Sequence, residues 1–202
     1  MAWLAVLAAG ATGFASASSA SRAAQRAVFR RAAPTMGFVS LYEELPVVTG
    51  RTISLRDITA DVAAFVERSG CKEGVVTVLS KHSTVGITIN EMEPRFVDDV
   101  RQFLLKLAPP QYPYLHNDLD YRAGPPEWPG GDEAWRSFRA GEPVNAHSHL
   151  IAMVMGTSES IPVHNGKLSI GKFQQVIVID ADGVLDGAGK KRTVALQVMG
   201  AA

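Results

Sequence analysis

The sequence predicts an α+β domain with a mostly antiparallel sheet, and three observations carry that prediction. Short β-branched runs recur along the chain with turn residues between them. Only two segments in the first half carry a clear helical period. Asn165-Gly166 lies between two extended runs, and Asn-Gly is the strongest short hairpin signal.

The elements follow in order. Phe38, Val39, Leu41, Leu45, Val47 and Val48 make a β-rich opening, interrupted at Pro46. Thr49-Gly50-Arg51 is a turn, and 52–55 is a second short extended piece. Asp57 or Thr59 caps a helix over 60–69, where Val62, Ala63 and Val66 keep a 3.6 period and Gly70 ends it. Val75 to Leu79 is a buried strand. Val85 to Ile89 alternates as the next one and would form a hairpin with it. Pro94 opens a helix with the stripe Val97, Val100, Phe103, Leu104 and Leu107. Asp98 and Asp99 sit near its positive end, Lys106 near its negative end, and Pro109-Pro110 stop it. Residues 109–143 are rich in Pro, Gly and aromatics and show no period; a loop this long is usually functional or disordered. Residues 144–155 fit a helix better than a strand. The runs 160–163 and 167–170 flank the hairpin turn, and 173–179 and 193–198 close the sheet around loop 181–192.

Composition bounds the function. The chain has 202 residues, 47% of them apolar, with 20 basic and 20 acidic side chains. That balance excludes a nucleic-acid binder working by bulk positive charge. It also argues against a disordered chain and against many membrane spans. Cys71 is the only cysteine, so one chain can form neither a disulfide nor a Cys-based zinc site. Any metal must be held by His and carboxylate.

The charge is unevenly spread. Residues 1–36 hold Arg22, Arg26, Arg30 and Arg31 and no acid, among many Ala and Ser. Such sequence reads as an organelle transit peptide, plastid or mitochondrial. A signal-like part, Ala2 to Ala9 followed by Ala15-Ser16-Ala17, fits the same letters, and the apolar run is too short to span a bilayer. If the leader is not a targeting segment and Met36 is the start, the protein is cytoplasmic. The folded domain is expected over 37–202.

Chemistry-bearing residues fall in three places. Lys81-His82-Ser83-Thr84 sits between two apolar strands, and hydroxyls, amides and two basic groups there suit an anion; an ordinary turn with a solvated His fits equally. Asn90-Glu91 ends the next strand. In a simple hairpin Glu91 lies away from His82, so it either faces water or needs a neighbouring subunit. His147-Ser148-His149 is the most specific local signal. On a strand both imidazoles share a face; on a helix i and i+2 diverge, and Asn145 and His149 pair instead. In that helix Leu150 and Val154 belong to the buried stripe, and His147 faces a neighbour or solvent. With His116 as third ligand, His147 and His149 form a set that suits zinc with an open position. His164, in the hairpin turn, is expected to face solvent.

The same residues carry a resemblance. Val76-Thr77-Val78, His82-Ser83-Thr84 and Ile87-Thr88-Ile89-Asn90-Glu91 resemble the signature of the YjbQ-like family, also labelled secondary thiamine-phosphate synthase. The likeness runs on through Tyr114-x-His116-Asn117, Asn145-Ala146-His147-Ser148-His149-Leu150, Ser160-Ile161-Pro162-Val163 and Gly171-Lys172-Phe173-Gln174, covering about 38–199. It implies a β-sandwich-like core with a few helices, assembled as a homotrimer, and a pocket near the subunit contacts. It further implies a transferase that joins a hydroxymethylpyrimidine diphosphate to a thiazole phosphate. Carried over by position, His82, Glu91 and His149 are the catalytic candidates. Lys81, Ser83, Thr84, Asn90, Asn145 and Gln174 are the substrate-binding ones, and His116, His147 and His149 the metal ligands. The implied partners are a phosphorylated small molecule and further copies of the chain. A non-catalytic metabolite- or metal-binding trimer and a metal-assisted hydrolase are the other readings. Three departures stand out: Ile151 where the family has Lys, Phe173 where it has Trp, and the additional segment 121–143.

Overall fold

The computed structural model describes residues 37–183 and 189–202. The leader 1–36 lies outside the described residues, so the targeting expectation has no structural counterpart here.

The chain is an α+β sandwich of two antiparallel sheets. β1 (Phe38–Thr49), β8 (Lys190–Ala201), β3 (Glu73–Ser80), β5 (Ser158–His164) and β6 (Lys167–Leu168) form the first sheet in that spatial order. β2 (Ser54–Asp57), β7 (Gln175–Asp180) and β4 (Val85–Asn90) form the second. The helices are α1 (Thr59–Ser69), α2 (Pro94–Leu107), α3 (Gly131–Arg139) and α4 (Ala146–Met155), with a 3₁₀ turn at Leu115–Asn117.

Alternation in β7 explains the layering. Val176 and Val178 face the first sheet, joining Val76, Val78, Val194, Leu196 and α1 side chains Val62, Phe65 and Val66 in one core. Ile177 and Ile179 face the other way and pack with Leu55, Val97, Leu104 and Ile151 under α2 and α4. A strand buried on both faces reads as an unbroken apolar run, as Val176 to Ile179 does. β1 tolerates Pro46 because it pairs only with β8 and is an edge strand, where a missing N–H costs no ladder bond. Asp57 Oδ1 accepts the Thr59 N–H at 2.8 Å just ahead of α1, whose N-cap position is Ile58 rather than Asp57 or Thr59, and Gly70 ends the helix at φ +74°. Glu93, rather than Pro94 alone, fixes the start of α2, accepting from the Arg95 and Phe96 N–H groups.

Three local expectations need correction. β3 and β4 do not form a hairpin. They lie in different sheets, and 81–84 crosses from one sheet to the other. The stretch 109–143, expected to be an aperiodic loop, contains α3, a short amphipathic helix of nine residues with Trp135 buried on one face and charged residues on the other. On α4 the buried residues are Ala146, Ser148, Ile151 and Ala152, while Leu150 and Val154 are exposed. α4 is held across β4 at Gly86, where a Cβ would meet Met155 and the Gly156 carbonyl.

Candidate functional site

The sandwich gathers chain ends at one corner: the start of β4, the end of β7, the start of β8, the start of α4 and the 3₁₀ turn. Four of the five histidines meet or approach there.

His116 and His149 pair edge to face, ring centroids 5.0 Å apart. Asn117 fixes this geometry, because its Oδ1 accepts the Ala146 N–H at 2.9 Å and so ties the 3₁₀ turn to the first turn of α4. Burial pushes the His149 pKa down, and His116 pushes the same way; Asp182 and a hydrogen bond to the Ser83 backbone pull it back. The two rings line two clefts. One, of about 700 Å³, is walled by Tyr112, Tyr114, Leu115 and Leu150. The other, of about 470 Å³, is walled by Arg122, Phe138, Glu142 and Asn145.

His147 turns inward rather than toward solvent. Its Nε2 lies 3.2 Å from Ser148 Oγ, and that hydroxyl donates to the Ala181 carbonyl at 2.7 Å. With the hydroxyl hydrogen used, Nε2–H of His147 is the donor, and Nδ1 carries a free lone pair. That Nδ1 is buried and has no partner among the described residues. Burial lowers the His147 pKa, so the ring is held neutral.

His82 is tied into the fold. Its Nε2 accepts the Thr193 N–H at 2.9 Å, fastening the 81–84 crossover to β8. Burial lowers its pKa first, and Arg192 lowers it further. A histidine with a folded pKa below its unfolded value of about 6.5 contributes stability that is full above that pH and lost as pH falls through the folded value. Stability is therefore expected to decline on acidification below about pH 6.5. His82→Gln should flatten that decline in denaturation curves taken across pH; an unchanged slope would contradict the assignment.

Thr84 is buried beside this turn, and its carbonyl accepts the Ala181 N–H. Ser83 is exposed. Lys81 points to the outer face of the first sheet and pairs with Glu44. Asn145 is buried, and its carbonyl opens α4. His164 is exposed and meets Glu73 at 3.0 Å.

Asn90, Glu91 and Gln174 are elsewhere. β4 has six residues. At about 3.4 Å per residue, its Asn90 end lies about 17 Å from its Val85 end. Asn90 pairs with Gln175 at that far end, and Gln174 accepts the Gly171 N–H in the turn before β7. Asn90 and Glu91 instead border an apolar cleft of about 350 Å³ between β7 and α2. One chain thus holds two separate halves of the expected site.

Beneath the histidine corner lies a group the motifs did not reveal. Asp180 is fully buried and takes two bonds from Arg192 at 2.6 and 2.7 Å, one from Thr49 Oγ1 at 2.6 Å and one from the Asp182 N–H at 2.9 Å. Burial opposes ionisation of Asp180, but Arg192, Thr49 and the Asp182 amide together hold its pKa below the ordinary value. The available signal was an acid ending an otherwise apolar strand, with an Arg opening the next.

The three metal candidates do not converge within the chain. Among the described residues, no three His, Cys, Asp or Glu side chains stand close enough to hold a metal ion. His116 and His149 offer two adjacent imidazoles, while His147 is engaged with Ser148. No chemical step is derived through a metal here.

Comparison with known proteins settles the family. The model described as "UPF0047 protein YjbQ-like" matches residues 43–201. The chain belongs to the YjbQ-like family. A UPF0047 protein of Methanothermobacter thermautotrophicus is 34% identical over 147 residues, 72% of this chain and 87% of that protein. The YjbQ-like relative YugU of Bacillus subtilis is 26% identical over 79% of this chain and its own full length. A crystal structure of a YbjQ-like protein of unknown function from Sulfolobus solfataricus superposes with TM-score 0.65 at 27% identity, covering 81% of this chain and 99% of that one. A hypothetical protein from Aeropyrum pernix superposes with TM-score 0.63 at 28% identity, over 79% and 98% of the two chains. No described helix is long and apolar enough to cross a membrane.

Proposed function

We propose that this YjbQ-like protein is an enzyme acting on a phosphorylated small molecule at the His116–His149 pair, with a thiamine-phosphate-synthase-like transfer as its reaction. The observation that supports this most is the pairing of two imidazoles, 33 residues apart in sequence, at the mouth of two clefts. In such a transfer the thiazole nitrogen lone pair forms a C–N bond to the pyrimidine methylene. The C–O bond to the diphosphate breaks, its electron pair leaving with pyrophosphate. The site must hold the leaving diphosphate and screen its growing charge. His116 and His149 supply ring N–H donors for this. His82 keeps the Ser83-Thr84 backbone beside them through Thr193.

We propose that the chain works as a homotrimer. Glu91 and Asn90 are too far from the histidines to act with them in one chain, and a neighbouring copy would bring them there. The outer face of the five-stranded sheet supports assembly: Phe38, Tyr42, Val48, Leu79 and Met199 are 76%, 53%, 54%, 40% and 45% exposed on it. A targeted organelle is the proposed location, from the Arg-rich leader.

The second reading is a binding protein without turnover, or a metal-assisted hydrolase whose zinc takes a ligand from a neighbouring copy. The buried, unpartnered Nδ1 of His147 favours keeping it. Incubation with the pyrimidine diphosphate and thiazole phosphate, read by thiamine phosphate and pyrophosphate formed, separates the readings. Product that disappears in His149→Ala is expected. Pyrophosphate binding without product from the pair points to the binding protein, and stoichiometric zinc in the purified protein to the hydrolase.

A further inference from the structure

Segment 121–143 folds back against the histidine pair, and Arg122 is the residue around which it closes. The Arg122 carbonyl accepts both Trp135 Nε1–H, at 3.1 Å, and Arg139 Nη1–H, at 2.9 Å. Its guanidinium lies 5.6 Å over the Trp135 ring, meets Glu142 at 2.7 Å and donates to the His116 carbonyl at 3.3 Å. The side chain stays 26% exposed, and it opens on the same cleft of about 470 Å³ as His116 and His149. Phe138, half exposed, and Pro143 give that cleft an apolar wall.

We propose that Arg122 is the specificity-determining cation of this cleft, juxtaposed with His116 and His149 by the α3 segment so that it selects ligands bearing a phosphate group. The inference rests on the phosphate reading of the histidine pair and adds a residue that reading did not contain. Its basis is charge and shape. A guanidinium presents donors in a planar fork that matches phosphate oxygens. Glu142 occupies one edge of the fork, and the bond to the His116 carbonyl is long. The Trp135 ring, Glu142 and the His116 carbonyl together hold the group in place, so less freedom remains to be lost on binding.

The pair Arg122–Glu142 gives two variants with opposite expected signs. In R122Q the cation is gone. In E142Q the cation remains and its competitor is neutral. Calorimetry of inorganic pyrophosphate into the full-length protein, in buffer containing EDTA, reads both. R122Q should weaken binding at least about tenfold, the scale of a lost charged hydrogen bond. E142Q should tighten it by about threefold or more, since a competing carboxylate charge is removed. Circular dichroism confirms that each variant is folded. Weakening in both variants would mean that the ion pair is only a clasp holding the segment, and would overturn the inference. Unchanged binding in R122Q would overturn it as well, leaving the histidine reading intact. No binding by the wild type would overturn both together.

Discussion

Asp180→Ala is expected to lower the unfolding free energy by about 3–5 kcal/mol, the cost of leaving a buried charge without its partner. Arg192 is 7% exposed at its side chain and Asp180 is fully buried, so the remaining guanidinium has little water to replace the lost carboxylate. Thr49 Oγ1 and the Asp182 N–H lose an acceptor in the same step. The pair joins β7 to β8 and, through Thr49, to β1, so one substitution loosens both sheets at the histidine corner. Arg192→Ala should cost a similar amount. A paired change of Asp180 to Leu and Arg192 to Met should recover most of it, because neither charge is then stranded. Denaturant unfolding of wild type, Asp180→Leu, Arg192→Met and the double variant carrying both gives the coupling. Additive losses in the double variant would show that the two side chains do not act as a pair. The sign with pH also follows. Asp180 has a folded pKa below its unfolded value, so its contribution is present above that unfolded value and is lost as pH falls through the folded one. The difference between wild type and Asp180→Ala should shrink in acid.

The second large effect concerns the two histidines of α4, which should behave differently for different reasons. His149→Ala removes one of the two paired imidazoles and should weaken pyrophosphate binding by up to about a hundredfold, one charged hydrogen bond's worth at the high end. His147→Met should act on stability first. The variant removes a buried nitrogen that has no partner among the described residues, a relief of about 1–3 kcal/mol, and gives up the His147–Ser148 bond, a smaller loss of about 0.5–1.5 kcal/mol. The variant should therefore unfold at higher denaturant than the wild type while binding the anion less tightly by a smaller factor. A His147→Met protein with lower stability would mean that Nδ1 has a partner in solution. Equal binding losses in the two variants would remove the ranking of His149 over His147.

Much of the fold was legible because its signals are local. Period-2 alternation marks β4, an unbroken apolar run marks Val176–Ile179, and Gly70, Pro94 and Asn165-Gly166 punctuate the chain where the elements end. What was not legible depends on which sheet a strand joins. The turn at 81–84 looks like a hairpin from its length, yet β3 and β4 pair with β8 and β7 in separate sheets. That change converts His82 from a solvated turn residue into the acceptor for Thr193. The helix at 146–155 was expected, but its buried face was not. The Leu150–Val154 stripe is as apolar as Ile151–Met155, and only the position of β4 decides between them. Candidate site residues were found by their chemistry, and their grouping was not: Asn90 and Gln174 stand beyond one end of β4 and His149 beyond the other. Arg122 lacked any motif and is recognised only from the cleft it borders.

The most direct test of the account is a crystal structure of the full-length protein grown with pyrophosphate. The expected result is pyrophosphate between the His116 and His149 rings, within hydrogen-bond distance of both, in an assembly where Glu91 from a neighbouring copy approaches the same anion. Pyrophosphate bound away from both rings, or a site whose anion lies beside Asn90 and Glu91 with the histidines distant in every copy, would contradict it.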